Sequence, residues 1–246
     1  MSLAAAWLLV PFLVGLDDKD DLGSAVKKFA EAKSYSFKGE LVLTVPGRNE
    51  NAPPPTPVVF DGKFAEDVGL VVQTAQEEIV RVDGKTAIRP KPVWRVLEDA
   101  GRGNRGPGMQ AAMANRGGAG LLARAPKDEL AGIEGKFDKV IKTDKKESVG
   151  ETECSVFDAS FSPEGAKSLI GGGRAPGGQD AEVSANGHFW VASDGRLVKY
   201  EITTKVTRTF NNREVTTTTA RTLSLFDVDK TKVELPAGAK EAISQK

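Results

Sequence analysis

The sequence predicts an α+β fold: a strongly curved antiparallel sheet with one apolar face and helices that cover it. Three observations carry this. The C-terminal third contains long runs of alternating apolar and polar residues whose registers agree across two turns. The first third contains shorter alternating runs separated by Gly, Asp and Pro. Two short segments, one before those runs and one between them and the C-terminal third, have a helical apolar stripe and a candidate N-cap.

The C-terminal registers can be written out residue by residue. With Asp194-Gly195 as a two-residue turn, Val191 opposes Val198, Trp190 opposes Lys199, Phe189 opposes Tyr200 and His188 opposes Glu201. With Asn211-Asn212 as the next turn, Val206 faces Thr217, Thr204 faces Thr219, Tyr200 faces Leu223 and Val198 faces Leu225. Both registers gather Phe189, Val191, Val198, Tyr200, Ile202, Leu223 and Leu225 on one face. Lys199, Glu201, Thr203, Lys205, Thr207, Thr216 and Thr218 take the other, a solvated β-surface. Strands of about thirteen residues span roughly 43 Å at 3.3 Å per residue, which favours a curved sheet over a compact sandwich.

The earlier elements follow in order. A helix is expected from Leu22 to Lys33, with Ser24 as N-cap and Leu22, Val26, Phe29 and Ala30 on one face. It leads into the strand "SYSFKGELVLTV", where Tyr35, Phe37, Leu41, Leu43 and Val45 alternate with polar positions. "NENAPPPTP" is a loop, because proline brings no N–H to a ladder. Short strands follow at "VVFDGKFA", "GLVVQTA", "EEIVRV" and "KTAIRP", the last two joined by Asp83-Gly84.

From Gly101 to Lys127 the chain is rich in Gly and Arg and has no acidic residue, the composition of a flexible insertion. Met109, Ala112 and Met113 make one apolar spot within it, and Leu121-Leu122 another. "GKFDKVIKTDKKESVGETECSVFDASF" reads as two strands about a charged turn. "SPEGAKSLI" reads as a helix capped by Ser162 with Pro163 at its first position, and "GGGRAPGGQD" as a flexible loop. The tail "FDVDKTKVELPAGAKEAISQK" is expected to hold a short closing strand, a Pro-Gly turn and a polar end.

Composition narrows the function classes. The 34 basic and 34 acidic side chains cancel, so no whole-chain field draws the protein to nucleic acid or to an anionic membrane. Cys154 is the single cysteine, which excludes an intrachain disulfide and a cysteine-based metal cluster; its apolar neighbours mark it as a buried thiol. His188 is the single histidine, and its register puts it on the polar face opposite Glu201, a structural cross-strand pair. The acidic run Asp17–Asp21 lacks the glycine and terminal glutamate of a calcium loop. No P-loop, G-x-S-x-G or strand-linked dinucleotide fingerprint occurs, and the lone RGG-like triplet has no aromatic residue interleaved to stack on bases. These features point away from catalysis, cofactors, metals and nucleic acid. The N-terminus has about fifteen apolar or small residues before the acidic patch, fewer than the ~20 of a membrane span. Residues 1–16 therefore read as a signal peptide or N-terminal anchor, and the protein as exported.

The order of elements, and the segments "SYSFKGEL", "WVASDGRLVKYEI" and "VELPAGAK" in particular, resemble the LolA/LolB-like lipoprotein-carrier superfamily. The layout match runs from about residue 22 to residue 240, one domain with the Gly/Arg-rich insertion at 101–127. The resemblance implies an incomplete antiparallel β half-barrel, a periplasmic or otherwise extracytoplasmic location, and a concave face that holds acyl chains or another apolar ligand. The residues expected to line that face are Tyr35, Phe37, Leu41, Leu43, Phe60, Phe189, Val191, Val198, Tyr200, Ile202, Leu223 and Leu225. Met109, Met113, Leu121 and Leu122 would form a lid. The expected partners are a lipid or lipoprotein acyl chain and a membrane or membrane protein. The rival reading is an extracytoplasmic sensor or protein-interaction module that uses the same fold and transports nothing.

Overall fold

The structure, a computed structural model, describes residues 16–45, 55–90, 95–97, 120–170, 181–210 and 213–244. The segment before Leu16 expected to be a signal peptide or anchor, the expected loops at 46–54 and 171–180, most of the insertion with Met109 and Met113, and the expected turn at Asn211-Asn212 lie outside the described residues.

Among the described residues eleven strands form one antiparallel sheet. The first six are β1 (Ser34–Thr44), β2 (Val58–Ala65), β3 (Gly69–Thr74), β4 (Glu77–Val82), β5 (Lys85–Pro90) and β6 (Arg95–Leu97). The other five are β7 (Phe137–Val149), β8 (Thr152–Phe161), β9 (Glu182–Ala192), β10 (Leu197–Phe210) and β11 (Arg213–Phe226). The spatial order is β6-β5-β4-β3-β2-β1-β11-β10-β9-β8-β7. Each half is a meander of sequence neighbours, and the long-range pairing of β1 with β11 joins the halves at the centre. Among the described residues the edges β6 and β7 do not pair, so the sheet is an open half-barrel. One buried cluster runs from Ile79 and Ile88 on one side to Phe137 and Val140 on the other, and it defines the concave face.

The helices are α1 (Leu16–Ala30), α2 (Pro126–Ala131), α3 (Pro163–Leu169) and α4 (Ala239–Ser244). Helix α1 starts well before the expected Leu22, which puts Ser24 mid-helix and exposed rather than at a cap. The acidic run explains the shift: carboxylates are favourable near a helix N-terminus, and this run also docks the helix. Asp18 accepts the Lys142 N–H at 3.0 Å, and Asp21 lies 3.8 Å from the Lys142 ammonium on β7. Leu22, Ala25, Val26 and Phe29 then face inward. Helix α3 follows the sequence reading, with Ser162 Oγ accepting the Gly165 N–H at 3.2 Å and Pro163 in the first turn.

Asp83 and Gly84 both have positive φ, 48° and 76°, as a two-residue hairpin turn requires. The β9–β10 hairpin differs from the expectation. Its loop has three residues, Ser193 to Gly195, closed by the Ala192 N–H on the Arg196 carbonyl at 2.9 Å, with Gly195 at φ 77°. Val191 therefore opposes Leu197, and a bulge at Val198 restores the expected Trp190–Lys199, Phe189–Tyr200 and His188–Glu201 pairs. The extra loop residue and the bulge cancel beyond Lys199. The β10–β11 register, with Val206 opposite Thr217 and Tyr200 opposite Leu223, is as written from the sequence.

Two further differences concern segments expected to be loop or strand. The end of the Gly/Arg-rich insertion is helical at 120–122 and again in α2, with Leu122, Ala123 and Ala125 in the main cluster. The tail forms no strand from 228 to 238. It crosses the convex face and ends in α4, where Ala239 is buried with Val71 and Val80 and flanked by Val82, Val233, Leu235 and Ile243. Val71 and Val80 stand out of phase with the concave residues Val72 and Ile79, so this second apolar patch needed a cover, and the tail supplies it.

Candidate functional site: the concave face

Alternation along the strands builds the face in cross-strand rows. Tyr35 opposes Phe64, Phe37 opposes Gly62 and Gly39 opposes Phe60 between β1 and β2. On the other side of β1, Phe37 meets Leu225, Gly39 meets Leu223 and Leu41 meets Arg221. Beyond β11 the rows continue through Tyr200 and Ile202 of β10 to Phe189 and Gly187 of β9. The rings interlock: Tyr35 packs on Phe29 of α1 at 4.8 Å and on Phe64 at 5.2 Å, and Phe189 meets Phe137 and Tyr200 at 5.9 and 6.3 Å.

Of the residues expected to line this face, Tyr35, Phe37, Leu41, Phe60, Phe189, Val191, Tyr200, Ile202, Leu223 and Leu225 are all buried in one cluster. Leu43 is half-buried toward its outer end. Leu122 is buried and Leu121 packs against the cluster. Val198 is not on this face. The bulge turns it to the convex side, where it joins Cys154, Val156, Trp190 and Ala192, and Leu197 takes the concave position.

Helices α1 to α3 cover the inner part of the face, and no described helix covers its outer part. Val58 stands opposite Leu41 on β2, and Val45 continues the alternation of β1 by one step. Val215 of β11 opposes Arg208 of β10. Val45, Val58 and Val215 are 56%, 41% and 37% exposed. Val45 and Val58, with Leu43, extend the apolar surface of Leu41 and Phe60 out to solvent, whereas Val215 stands apart beyond Thr217 and Thr219 on β11.

The sequence reading missed a polar group at the centre of this face. Tyr200 Oη donates to Glu129 Oε2 at 2.8 Å, and Arg221 Nη1 donates to the same oxygen at 2.9 Å. Arg221 Nη2 reaches the Arg124 carbonyl at 3.4 Å, and the Arg221 guanidinium lies 5.8 Å from the Phe60 ring. Tyr35 Oη accepts the Lys127 N–H at 3.1 Å. These contacts tie α2 to β1, β10 and β11. Burial pushes both phenols well above their ordinary range, and the nearby Glu129 carboxylate adds to the effect at Tyr200. Arg221 was within reach of sequence reasoning, because the written register puts it opposite Ile202, one charged residue in an apolar row. Glu129 was not, because nothing local says which side of α2 faces the sheet.

The single histidine and the single cysteine lie on the convex side. His188 is exposed, and its Nδ1 lies 2.7 Å from Asp158 Oδ1 on β8. Glu201, opposite in register, instead pairs with Lys199 at 2.7 Å, so the expected His188–Glu201 pair is replaced by a neighbour from the other flanking strand. Lys199 also sits 4.0 Å over the Trp190 ring, whose Nε1 donates to Glu147 at 2.8 Å. Cys154 is buried, and desolvation raises its thiol above the usual range. Among the described residues no three His, Cys, Asp or Glu side chains converge as a metal site, and no helix is long and apolar enough to cross a membrane. A groove of about 590 Å³ lies between the convex face and the tail, bordered by Lys38, Lys63, Phe226, Lys232 and Val233 among others.

No protein-family model matches the chain, and no curated protein matches it. Among solved structures it is similar to the lipoprotein LppX of Mycobacterium tuberculosis, with 10% identity, 88% of this chain and 97% of that chain covered, and a TM-score of 0.46. It is also similar to LprF of Mycobacterium bovis, with 12% identity, 89% and 96% covered, and a TM-score of 0.48. A LolA superfamily protein of Nitrosomonas europaea aligns with 12% identity over 93% and 97% of the two chains, with a TM-score of 0.33. The architecture of this chain, an open antiparallel half-barrel with helices on its concave side, is the layout that the LolA/LolB resemblance implies.

Proposed function

We propose that this chain is an exported, non-enzymatic carrier or binding protein that holds an apolar acyl chain, of a lipid or a lipoprotein, against the concave face of its sheet. One observation supports this above the rest: the apolar surface of Leu43, Val45 and Val58 is open to solvent yet continuous with the buried wall at Leu41 and Phe60. A contiguous exposed apolar strip on a concave surface favours a ligand over water. The outer part would accept a chain directly. The inner wall of Tyr35, Phe37, Phe189, Tyr200, Ile202, Leu223 and Leu225 would be reached by displacing α2, with Leu121 and Leu122 moving in the same segment. On this reading residues 1–16 direct export, residues 22–240 form the carrier domain, and a membrane or membrane protein loads or receives the cargo.

Native mass spectrometry of the protein purified from its own host tests the proposal. A stoichiometric lipid adduct, lost from a Val58→Glu/Val45→Glu variant that still folds, is the expected result. A protein that carries no lipid, and takes none up from vesicles, overturns it in favour of a sensor or interaction module. Esterase, glycosidase and peptidase assays with His188→Ala as control check the non-enzymatic part; activity lost in that variant would contradict it.

A further inference from the structure

The polar group on the concave face is built for more acceptor than it holds. Arg221, 4% exposed, presents a planar fork of donors suited to two oxygens of one carboxylate or phosphate. It binds Glu129 through Nη1 alone, and its Nε is buried with no partner. An unpaired buried N–H is costly and uncommon in a folded protein. Arg208 lies further out on the same face, opposite Val215, and its Nε is also buried and unpartnered. Arg124, over the inner part of the face, bonds only carbonyl oxygens, those of Ser168, Leu169 and Asp128. Of these three arginines, Arg221 alone has a carboxylate partner among the described residues.

We infer that Arg221 and Tyr200 form a binding site for the oxyanion of an anionic amphiphile, a carboxylate or phosphate at the end of an acyl chain, and that Glu129 occupies this site in the ligand-free chain. The inference rests on the concave-face carrier reading and names its ligand class. Glu129 stands on a helix of six residues whose N-cap, Ala125, supplies no side-chain bond, so α2 depends on its contacts with the sheet. A ligand oxyanion that replaces the Glu129 carboxylate exchanges one anion for another. Arg221 is never left buried and unpaired, which would be the costly event. The incoming group gains the free Nε prong, while Glu129 leaves with α2 toward water.

Calorimetric titration of the full chain with dodecyl phosphate and dodecanol, both below their aggregation limits, tests this. The wild type is expected to bind dodecyl phosphate more tightly by about tenfold or more. Glu129→Gln should tighten dodecyl phosphate several-fold and leave dodecanol unchanged, because the resident anion is gone. Arg221→Met should bind both probes alike. Glu129→Leu/Arg221→Met, which removes both charges together, guards against a variant that merely fails to fold and should show the same loss of preference. Retained preference in Arg221→Met and in the double variant overturns the inference, as does inorganic phosphate binding as tightly as dodecyl phosphate. A wild type that binds both probes equally removes the head-group site alone, whereas one that binds neither removes the carrier reading.

Discussion

Phe37 fills the space that a side chain on Gly62 would need. The two residues stand opposite in the β1–β2 ladder, and a β-carbon on Gly62 would lie 2.0 Å from the Phe37 ring. Gly39 and Phe60 repeat the arrangement two residues on, with a β-carbon 2.9 Å from the ring and 2.4 Å from the Thr222 carbonyl. A strand glycine costs stability by itself, and here a ring folded over it compensates. Gly62→Ala should therefore destabilise the protein by about 1–3 kcal/mol through overpacking. Gly23→Ala, in α1 with nothing within 4 Å of the added carbon, should stabilise it by about 0.5–1 kcal/mol. Urea midpoints at constant slope check both signs.

The chain has two tyrosines, Tyr35 and Tyr200, and both are buried with their phenols held protonated. Below the ordinary phenol pKa of ~10, folded and unfolded chains carry the same protons here, and stability does not depend on these groups. Above it the unfolded chain ionises first, so it binds fewer protons than the native state and stability falls as pH rises. Tyrosinate absorbance should stay flat past pH ~10 and then rise in one step together with loss of the circular dichroism signal. A gradual rise in the folded protein would contradict the burial.

Leu197 and Val198 are adjacent but face opposite clusters. Leu197→Ala should cost about 2–4 kcal/mol, because it opens a cavity in the main core. Val198→Ala, at the edge of the small convex cluster, should cost about 1 kcal/mol. A two-residue turn without the bulge predicts the reverse order, so equilibrium unfolding of the pair distinguishes the registers.

Breaking the buried Arg221–Glu129 pair from either side should cost about 3–5 kcal/mol, because the remaining charge loses its partner. Replacing both together by Met and Leu should recover most of that loss. The double-mutant cycle measures the coupling, and additive single effects would refute it.

His188 and Asp158 are about half exposed, so water screens their contact. His188→Ala should change stability by less than about 1 kcal/mol, as measured by thermal unfolding at neutral pH.

The sequence was most informative where a two-residue period ran long enough to check itself. The β10–β11 register, the backbone registers of Phe189 with Tyr200 and His188 with Glu201, the strands from Val58 to Pro90 and the Ser162 cap were all legible, because alternation and turn chemistry are local properties, whereas the side-chain partner of His188 was not. The Val198 assignment failed because one extra loop residue and one bulge cancel: the sequence beyond the bulge reads identically with or without them. The acidic run reads as solvated chain, so the sequence alone starts α1 too late, at Leu22 instead of Leu16. Its carboxylates in fact hold Lys142, which lies 124 residues away from Asp18.

By itself, then, the sequence determined the antiparallel pairing, the parity of the apolar face, the zero net charge, the exposed histidine and the buried cysteine. Those follow from covalent geometry and from which side chains avoid water. Only the tertiary structure decided that β1 joins β11 to merge two meanders, that the tail covers the convex valines, and that Glu129 enters the concave face to meet Arg221 and Tyr200. Each of these depends on contacts between segments far apart in the chain, where burial and charge compensation outweigh any local preference.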